Sequence, residues 1–392
     1  MGLKEQRLTG WKKVQNFLLK WFLPIGFFFA IVIGLAWPMP GLELSTCRDC
    51  IYGGFKLFQT FNVMTIFVIS GLTLKTGDIL GAFNAKGGAS FAYGMIMIIG
   101  ITPLIAFLAV EIPFQQEEFR YGMAVFIVGP TTIASGSALV AQAYGNNVLA
   151  LLLTVMTNLI AVVTIPLWLK AVISGANASI DAVELLIKLL ITVLLPLIIG
   201  QVLRAVIPGI KGWVNEQKTF LKLAGNFSLV LVVWQTMSRS ADEIYSVSAE
   251  ALITIIVSGG VLHAVYLAIN YILCVYVFKF ETPDMKALVI MASEKTLPVA
   301  IAVISFLGDL GDEGFLAIPP IVSQQIQLFM DAYIAGKWET EVEKDLGPPS
   351  PTEQDCASEI EIDLEKINNE RLRPTDVELV EGQSPIVKFA EQ

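Results

Sequence analysis

The sequence is poor in charge, histidine and cysteine: its 392 residues include one histidine and four cysteines, and 16% are charged. Ordinary soluble proteins carry about 25% charged residues, so these charges cannot coat a soluble protein of this size. The net charge is −9, which leaves no basic surplus of the kind that binds nucleic acid. No glycine-rich nucleotide cradle, metal cluster or nucleophile–base constellation is evident. An ATP-driven pump is therefore disfavoured, and no enzyme class is indicated.

Long apolar stretches dominate instead, since 55% of the residues are hydrophobic. A helix needs about 20 apolar residues to cross the hydrocarbon core of a bilayer. Ten such stretches predict an all-α polytopic membrane protein, because backbone groups in lipid must be satisfied within each segment. The predicted spans are roughly 17–37, 51–74, 87–110, 119–144, 148–173, 183–206, 220–237, 251–278, 285–307 and 315–336.

Lysines and arginines favour one side of the predicted membrane. About 13 of them lie before the first span or in every second loop, against about 5 in the alternate loops. Because cytosolic loops carry the basic excess, both termini are predicted to face the cytosol. The first span is predicted to be an uncleaved signal anchor. A plasma membrane, a secretory-pathway membrane and a plastid envelope all fit this pattern.

Acidic residues are concentrated at the C-terminal end. From residue 339 onward there are about 15 acidic and 5 basic residues, with few apolar ones, a composition typical of disorder. We therefore predict a ten-helix membrane domain over residues 1–338 and an acidic, disordered cytosolic tail over 339–392. The tail is a candidate site for cytosolic partners or kinases.

Two proline features recur about 170 residues apart. Pro24 in span one follows a leucine, as Pro196 does in span six, while Pro130 in span four corresponds to Pro298 in span nine. Each pair lies five spans apart, and because five is odd the two halves insert upside down relative to each other. The sequence thus predicts two inverted five-helix repeats. The repeats cover about 17–173 and 183–337.

Span nine is interrupted by a polar stretch that contains Glu294 and Lys295. Each charge costs at least ~2.5 kcal/mol at the centre of a bilayer. Adjacent helical positions diverge by about 100°, so the two pair poorly unless the backbone is unwound. A proline kink alone could explain the break at Pro130 in span four, but it does not explain charges in span nine. Broken, polar helices in corresponding spans are typical of a transporter's midplane site.

Four segments carry a family resemblance: 70–76 (SGLTLKT), 195–201 (LPLIIGQ), 294–299 (EKTLPV) and 314–319 (GFLAIP). On these segments the chain resembles the bile acid:sodium symporter superfamily across all ten predicted spans. It is most similar to the divergent branch that includes solute-carrier-ten member seven, plant plastid proteins and fungal calcium-regulating proteins. The resemblance implies two inverted five-helix repeats, a panel of spans one, two, six and seven, and a core in which broken spans four and nine cross.

The resemblance also implies sodium-coupled, or proton-coupled, symport of a small organic anion by alternating access. Sodium would be the coupling ion, with no other cofactor. Matched position by position, the implied sodium ligands are Ser135, Thr154, Thr157 and Glu294. The residues expected at the substrate or coupling site are Thr131, Thr132, Asn158, Lys295, Thr296 and Gln324.

Two departures from the family pattern affect the second sodium site of classical members. Gly136 replaces an asparagine, and Pro298-Val299 replaces a glutamine–asparagine pair after the glutamate. The ammonium of Lys295 would supply a positive charge near the same place. We therefore predict coupling to one sodium ion or to a proton, rather than to two sodium ions.

Two other functions remain open. A monovalent cation/proton antiporter has a related fold and also uses crossed broken helices with intramembrane carboxylates. A membrane regulator of calcium homeostasis would transport nothing itself, and is considered because the resembled branch affects calcium handling.

Three further polar residues lie inside predicted spans. A packing role is favoured over a proton relay for His263, the sole histidine. Gln327 and Asp331 are expected either to line the cavity or to form interhelical hydrogen bonds.

Overall fold

The computed structural model describes residues 22–46, 51–52, 55–73, 88–132, 135–174 and 180–346. Within these ranges the chain is almost entirely helical, apart from one two-stranded hairpin. The predicted tail beyond residue 346 and the basic segment before residue 22 lie outside the described residues. The all-α fold class predicted from the sequence is confirmed at this level.

The elements follow in chain order. They are α1 (Phe22–Ala36), α2 (Met39–Thr46), β1 (Ile51–Tyr52), β2 (Phe55–Lys56), α3 (Leu57–Thr73), α4 (Gly88–Ala109), α5 (Glu117–Val128), α6 (Ser135–Gln142), α7 (Asn147–Ser174), α8 (Ala182–Val206), α9 (Ile210–Glu216), α10 (Lys218–Arg239), α11 (Ala241–Ile244), α12 (Ala249–Val277), α13 (Thr282–Ser293), α14 (Leu297–Ile304) and α15 (Glu313–Leu346). Helices α4, α8 and α12 each contain a π-helical turn.

In the described part of the chain, six helical segments are long and apolar enough to cross a membrane: α4, α7, α8, α10, α12 and the pair α13–α14. Helices α1 and α3 are apolar but shorter. The chain is therefore a multi-pass membrane protein. The full count of ten spans and the inverted repeats stay predictions.

Two boundaries differ from those predicted. Residues 51–52 pair with residues 55–56 as antiparallel strands, with Ile51 opposite Lys56, so the second helix begins only at Leu57. Two glycines separate the strands in the sequence, and glycine pairs favour a tight turn. The apolar residues on either side instead suggested a continuous helix. At the other end α15 continues to Leu346, beyond the predicted start of the tail, because the next helix breakers are Gly347 and Pro348.

Helices α1, α2, α3, α8 and α10 pack on one another as a first group. Helix α10 contacts α1, α2 and α3, and α8 packs along α3. The crossing of α3 and α8 depends on two glycines. A Cβ on Gly71 would lie 2.2 Å from the Leu197 carbonyl oxygen, and a Cβ on Gly200 would lie 2.3 Å from that of Val68. Only glycine permits this close approach of two backbones.

Helices α4 to α7 and α12 to α14 form a second group centred on α13. The α13–α14 segment is 94% buried over its central stretch, whereas α12 is 28% buried. An apolar helix that other helices surround on all sides can hold polar groups away from lipid. The second group therefore contains the interior where intramembrane charges can be accommodated.

A buried carboxylate at the start of α15 binds two basic residues at the edge of the first group. Glu313, the first residue of α15, is 4% exposed and forms ion pairs with Lys56 and with Arg239, the latter at 3.2 Å. Beside it the backbone N–H of Gly314 donates to Ser240 Oγ at 3.0 Å. The start of α15 is therefore held against the ends of α3 and α10.

Candidate functional site

Both interruptions predicted from the sequence are present. Helix α5 ends at Val128, residues 129–132 are not helical, and α6 begins at Ser135. Helix α13 ends at Ser293, residues 294–296 are extended, and α14 begins at Leu297. Proline lies next to each break, where it removes a backbone donor and disfavours a helical conformation before it.

The two breaks lie against each other. The backbone N–H of Thr296 donates to the Pro130 carbonyl at 3.1 Å. The hydroxyl of Thr132 donates to Glu294 Oε2 at 2.9 Å. Helices α6 and α14 each begin at this crossing, so the positive ends of two half-helices meet there.

The carbonyls of residues 129–132 each have a hydrogen-bond donor within reach. Besides the Pro130 bond, Gly129 accepts from Lys295 Nζ at 3.1 Å. Thr131 accepts from Asn158 Nδ2 at 3.1 Å, and Thr132 accepts from Thr154 Oγ1 at 3.3 Å. Unwound backbone is stable at this depth only when protein groups replace its lost helical bonds. The broken segment is thus fixed in place before any ligand arrives.

Glu294 is fully buried and only half satisfied. Oε2 accepts from Thr132, whose hydroxyl also lies 2.6 Å from Ser135 Oγ and accepts from the Gly136 N–H at 2.9 Å. Because a hydroxyl has one proton, Ser135 is the donor to Thr132 when Thr132 donates to the carboxylate. Oε1 has no hydrogen-bond partner among the described residues. A buried carboxylate oxygen of this kind is able to coordinate a cation.

The carboxylate of Glu294 occupies space that a side chain at position 136 would fill. A Cβ on Gly136 would lie 2.6 Å from Glu294 Oε2 and 2.7 Å from Met291 Sδ. The replacement of the family's asparagine by glycine at position 136 is therefore explained by the space that the Glu294 carboxylate occupies. The missing side chain of Gly136 is what lets Glu294 approach the N-terminus of α6.

Lys295 lies next in sequence but its ammonium points elsewhere. Nζ donates to Thr102 Oγ1 at 2.8 Å and to the carbonyls of Gly129 at 3.1 Å and Ile98 at 3.5 Å. Two of these oxygens belong to α4, where a π-helical turn spans Met97–Ile101. An ammonium held by three oxygens fills a position in which a small cation could otherwise be coordinated.

Helix α15 closes the site from a third side. Gln327 clamps the backbone of Lys295, because its Oε1 accepts from the Lys295 N–H at 3.1 Å and its Nε2 donates to the Lys295 carbonyl at 2.7 Å. One turn further along, Asp331 is fully buried, with Oδ1 2.8 Å from Nε2 of His263 on α12. The packing role expected for His263 and the interhelical bonds expected for Gln327 and Asp331 both agree with these contacts.

The residues predicted for the site fall into two sets. The first consists of residues that contact the crossing, and its members are Thr131, Thr132, Ser135, Thr154, Asn158, Glu294, Lys295 and Thr296. Thr154 and Asn158 support backbone carbonyls there. The second set is Thr157 and Gln324, which are buried and whose Oγ1 and Oε1 have no partner within the described ranges. No hydrogen bond between described residues joins these two to Glu294.

The sequence did not identify Thr102 as a residue of the site, and it did not predict which residues Asp331 would contact. Thr102 could not be found because its contact with Lys295 depends on how α4 packs. A signal for Asp331 existed. Gln327 and Asp331 are four residues apart, so they share one helix face inside a predicted span, and intramembrane carboxylates mark functional sites by default.

A family model described as "SBF-like CPA transporter family" matches residues 20–340. An Arabidopsis thaliana protein named "Probable sodium/metabolite cotransporter BASS4, chloroplastic" is 32% identical over 85% of this chain and 76% of its own length. The Oryza sativa subsp. japonica protein of the same name is 33% identical over 81% of this chain and 75% of its own. The Rattus norvegicus "Sodium/bile acid cotransporter 7" is 22% identical, covering 69% and 80%.

The family match covers most of the chain, including both breaks and all the residues that meet at their crossing. The family and the names of the relatives indicate transport. The chain is therefore a membrane transporter rather than an enzyme, and it belongs to the SBF-like CPA transporter family.

Proposed function

We propose that this protein is a sodium-coupled symporter of a small organic anion that works by alternating access. The observation that carries the proposal is Glu294, a buried carboxylate on an unwound segment, with one oxygen bound by Thr132 and the other without a donor among the described residues. The names of the sodium cotransporter relatives support the same conclusion.

The groups around Glu294 suit an alkali cation. They are carboxylate, hydroxyl and carbonyl oxygens, which hard cations prefer, and a single carboxylate can neutralise a single charge. The described residues contain no group of three or more His, Cys, Asp or Glu side chains arranged to hold a metal ion. This argues against a site for zinc or a similar transition metal. Glu294 and Ser135 are the residues that would hold sodium, and Thr132 supports the carboxylate through its hydroxyl.

The expected stoichiometry is one sodium ion per cycle. Lys295 supplies a covalently attached positive charge within the same crossing, bound by three oxygens. That ammonium takes the place of a second ion. The rate of uptake should therefore rise with the first power of sodium concentration, and a rate that rises with its square would refute this stoichiometry.

The organic anion is expected near the N-termini of α6 and α14. Both half-helices begin at the crossing, where the helix dipole favours negative charge. Movement of the second helix group against the first would expose the crossing to each side of the membrane in turn. We infer that these groups are the core and panel of two inverted repeats, and that both termini are cytosolic.

The test uses purified full-length protein and the matched variants Glu294→Gln and Glu250→Gln. Glu250 is an exposed acid in the first turn of α12, so its variant controls for loss of one charge. Thermal unfolding is followed as sodium chloride replaces choline chloride at constant ionic strength. Uptake of a panel of organic anions into proteoliposomes is then driven by a sodium gradient.

Sodium should stabilise the wild type and Glu250→Gln but not Glu294→Gln, because ligands that bind only the folded state raise its stability. Uptake should follow the same order. Sodium stabilisation that survives in Glu294→Gln would place the ion elsewhere. An uptake rate that does not depend on the sodium gradient would refute sodium coupling.

A second candidate function is monovalent cation/proton antiport. The observation that favours it is a second buried acid, Asp331, whose carboxyl group lies within hydrogen-bonding reach of Glu294. Sodium-driven proton flux in proteoliposomes that contain no organic solute would favour antiport. Flux that requires an organic anion would favour symport.

A further inference from the structure

We propose that Asp331 is the second carboxylate ligand of the sodium site, and that one sodium ion bridges Glu294 Oε1 and Asp331 Oδ2. The proposal rests on the sodium symport proposed above and deepens it, since it names a ligand on α15 that neither the resemblance nor the relatives supply. It is carried by the position, burial and unused hydrogen-bonding capacity of Asp331.

Asp331 is buried deep inside the helix bundle, with no exposed surface. Its Oδ1 lies 2.8 Å from Nε2 of His263, so the imidazole holds the carboxylate in one orientation. Its Oδ2 has no hydrogen-bond partner within the described ranges. A carboxylate buried to this degree normally has both oxygens satisfied. One oxygen is therefore available to a ligand.

The packing of α15 brings this oxygen to the broken helix. Gln327 binds both the N–H and the carbonyl of Lys295, which fixes α15 against the extended segment. Asp331 follows one helical turn later on the same face, and its carboxyl group lies within hydrogen-bonding reach of that of Glu294. Each acid thus has one supported oxygen and one oxygen without a hydrogen-bond donor among the described residues.

Two carboxylates this close in a water-poor interior repel each other when charged, and a cation between them would offset that repulsion. The neighbouring ammonium is not that cation, because Lys295 Nζ binds Thr102, Gly129 and Ile98. Lys295 still offsets one of the two negative charges at longer range. The site then has a net charge of −1. A monovalent cation would neutralise it, whereas a divalent cation would leave an excess positive charge.

A small cavity lies beside residues that position Asp331 and α15. The cavity, of about 10 Å³ and enough for roughly one water molecule, lies beside His263, Tyr266, Lys295 and Gln327. Organic ligands need cavities of ~300 Å³ or more. This cavity is therefore too small for the organic anion, which is expected at the N-termini of α6 and α14.

The experiment measures sodium binding directly. Purified full-length wild type, Asp331→Asn, Glu294→Gln and the exposed control Glu250→Gln are titrated with radioactive sodium in a scintillation proximity assay without substrate. Size-exclusion chromatography checks that each is folded. Loss of residues that merely orient a metal ligand costs about 10–100-fold in affinity, so loss of a charged ligand should weaken sodium binding at least about tenfold in Asp331→Asn.

Asp331→Asn keeps the shape of the side chain and an oxygen for His263, so a merely structural role would leave sodium affinity unchanged. That result, with binding lost in Glu294→Gln, would overturn this inference and leave the proposed symport intact. Failure of the wild type to bind sodium would overturn both. If Asp331→Asn does not fold, Asp331→Glu replaces it. The longer acid should change the preference between lithium and sodium, and an unchanged preference would overturn the inference.

Discussion

Gly136→Ala tests whether the position of the Glu294 carboxylate sets sodium affinity. The new methyl group would lie 2.6 Å from Glu294 Oε2 and 2.7 Å from Met291 Sδ, whereas real Cβ atoms essentially never approach closer than 3.0 Å. The end of Met291 can swing aside at little cost. The carboxylate cannot retreat without lengthening its 2.9 Å bond from Thr132.

The expected effect follows from that bond. A hydrogen bond to a charged group is worth about 1.5–3 kcal/mol, so weakening it by about 1.4 kcal/mol lowers sodium affinity about tenfold. Stability should change less. Crowding costs about 1–3 kcal/mol, but alanine gains about 1 kcal/mol over glycine inside a helix.

The assay is thermal unfolding of the purified protein over a sodium titration, with Gly212→Ala as the matched control. Gly212 lies inside α9, and no atom lies within 4 Å of the position of its added Cβ. The control should keep the sodium response of the wild type and be slightly more stable. A Gly136→Ala protein with an unchanged sodium midpoint would refute the link between this contact and ion binding.

Two further variants test other contacts. Lys295→Gln removes the attached charge but keeps a donor for neighbouring oxygens, so the Hill coefficient for sodium-driven uptake should rise above one. A coefficient that stays at one, with an unchanged rate, would contradict its role as an internal cation. Glu313→Gln leaves Lys56 and Arg239 without their buried carboxylate, and loss of these partly buried pairs should cost about 1–3 kcal/mol in thermal unfolding. Glu184→Gln, which breaks an exposed pair on α8, is the control and should cost less than about 1 kcal/mol, so equal losses would contradict this reasoning.

The breaks were predictable because their causes are local. Pro130 and Pro298 disfavour helix wherever they occur in a span, and adjacent charges such as Glu294 and Lys295 are costly in lipid whatever surrounds them. The hairpin before Leu57 was missed because an apolar run alone does not distinguish a strand from the start of a helix.

Contacts between distant helices could not be predicted from the sequence in the same way. The direction of the Lys295 ammonium depends on the π-helical turn of α4, which leaves no clear mark in the sequence. The approach of Asp331 to Glu294 depends on how α15 crosses α13. Sequence patterns identified the polar residues of the site, whereas their pairing is a property of the packed helices.

The attached ammonium of Lys295 has an electrical consequence. In a carrier that moves two sodium ions with a monovalent anion, one positive charge crosses per cycle, and each 100 mV of membrane voltage contributes about 2.3 kcal/mol to accumulation. Lys295 returns with the protein, so one sodium ion and one monovalent anion would cross together without net charge. The membrane voltage would then not contribute to transport. The sodium concentration gradient alone would set the maximum ratio of substrate concentrations across the membrane.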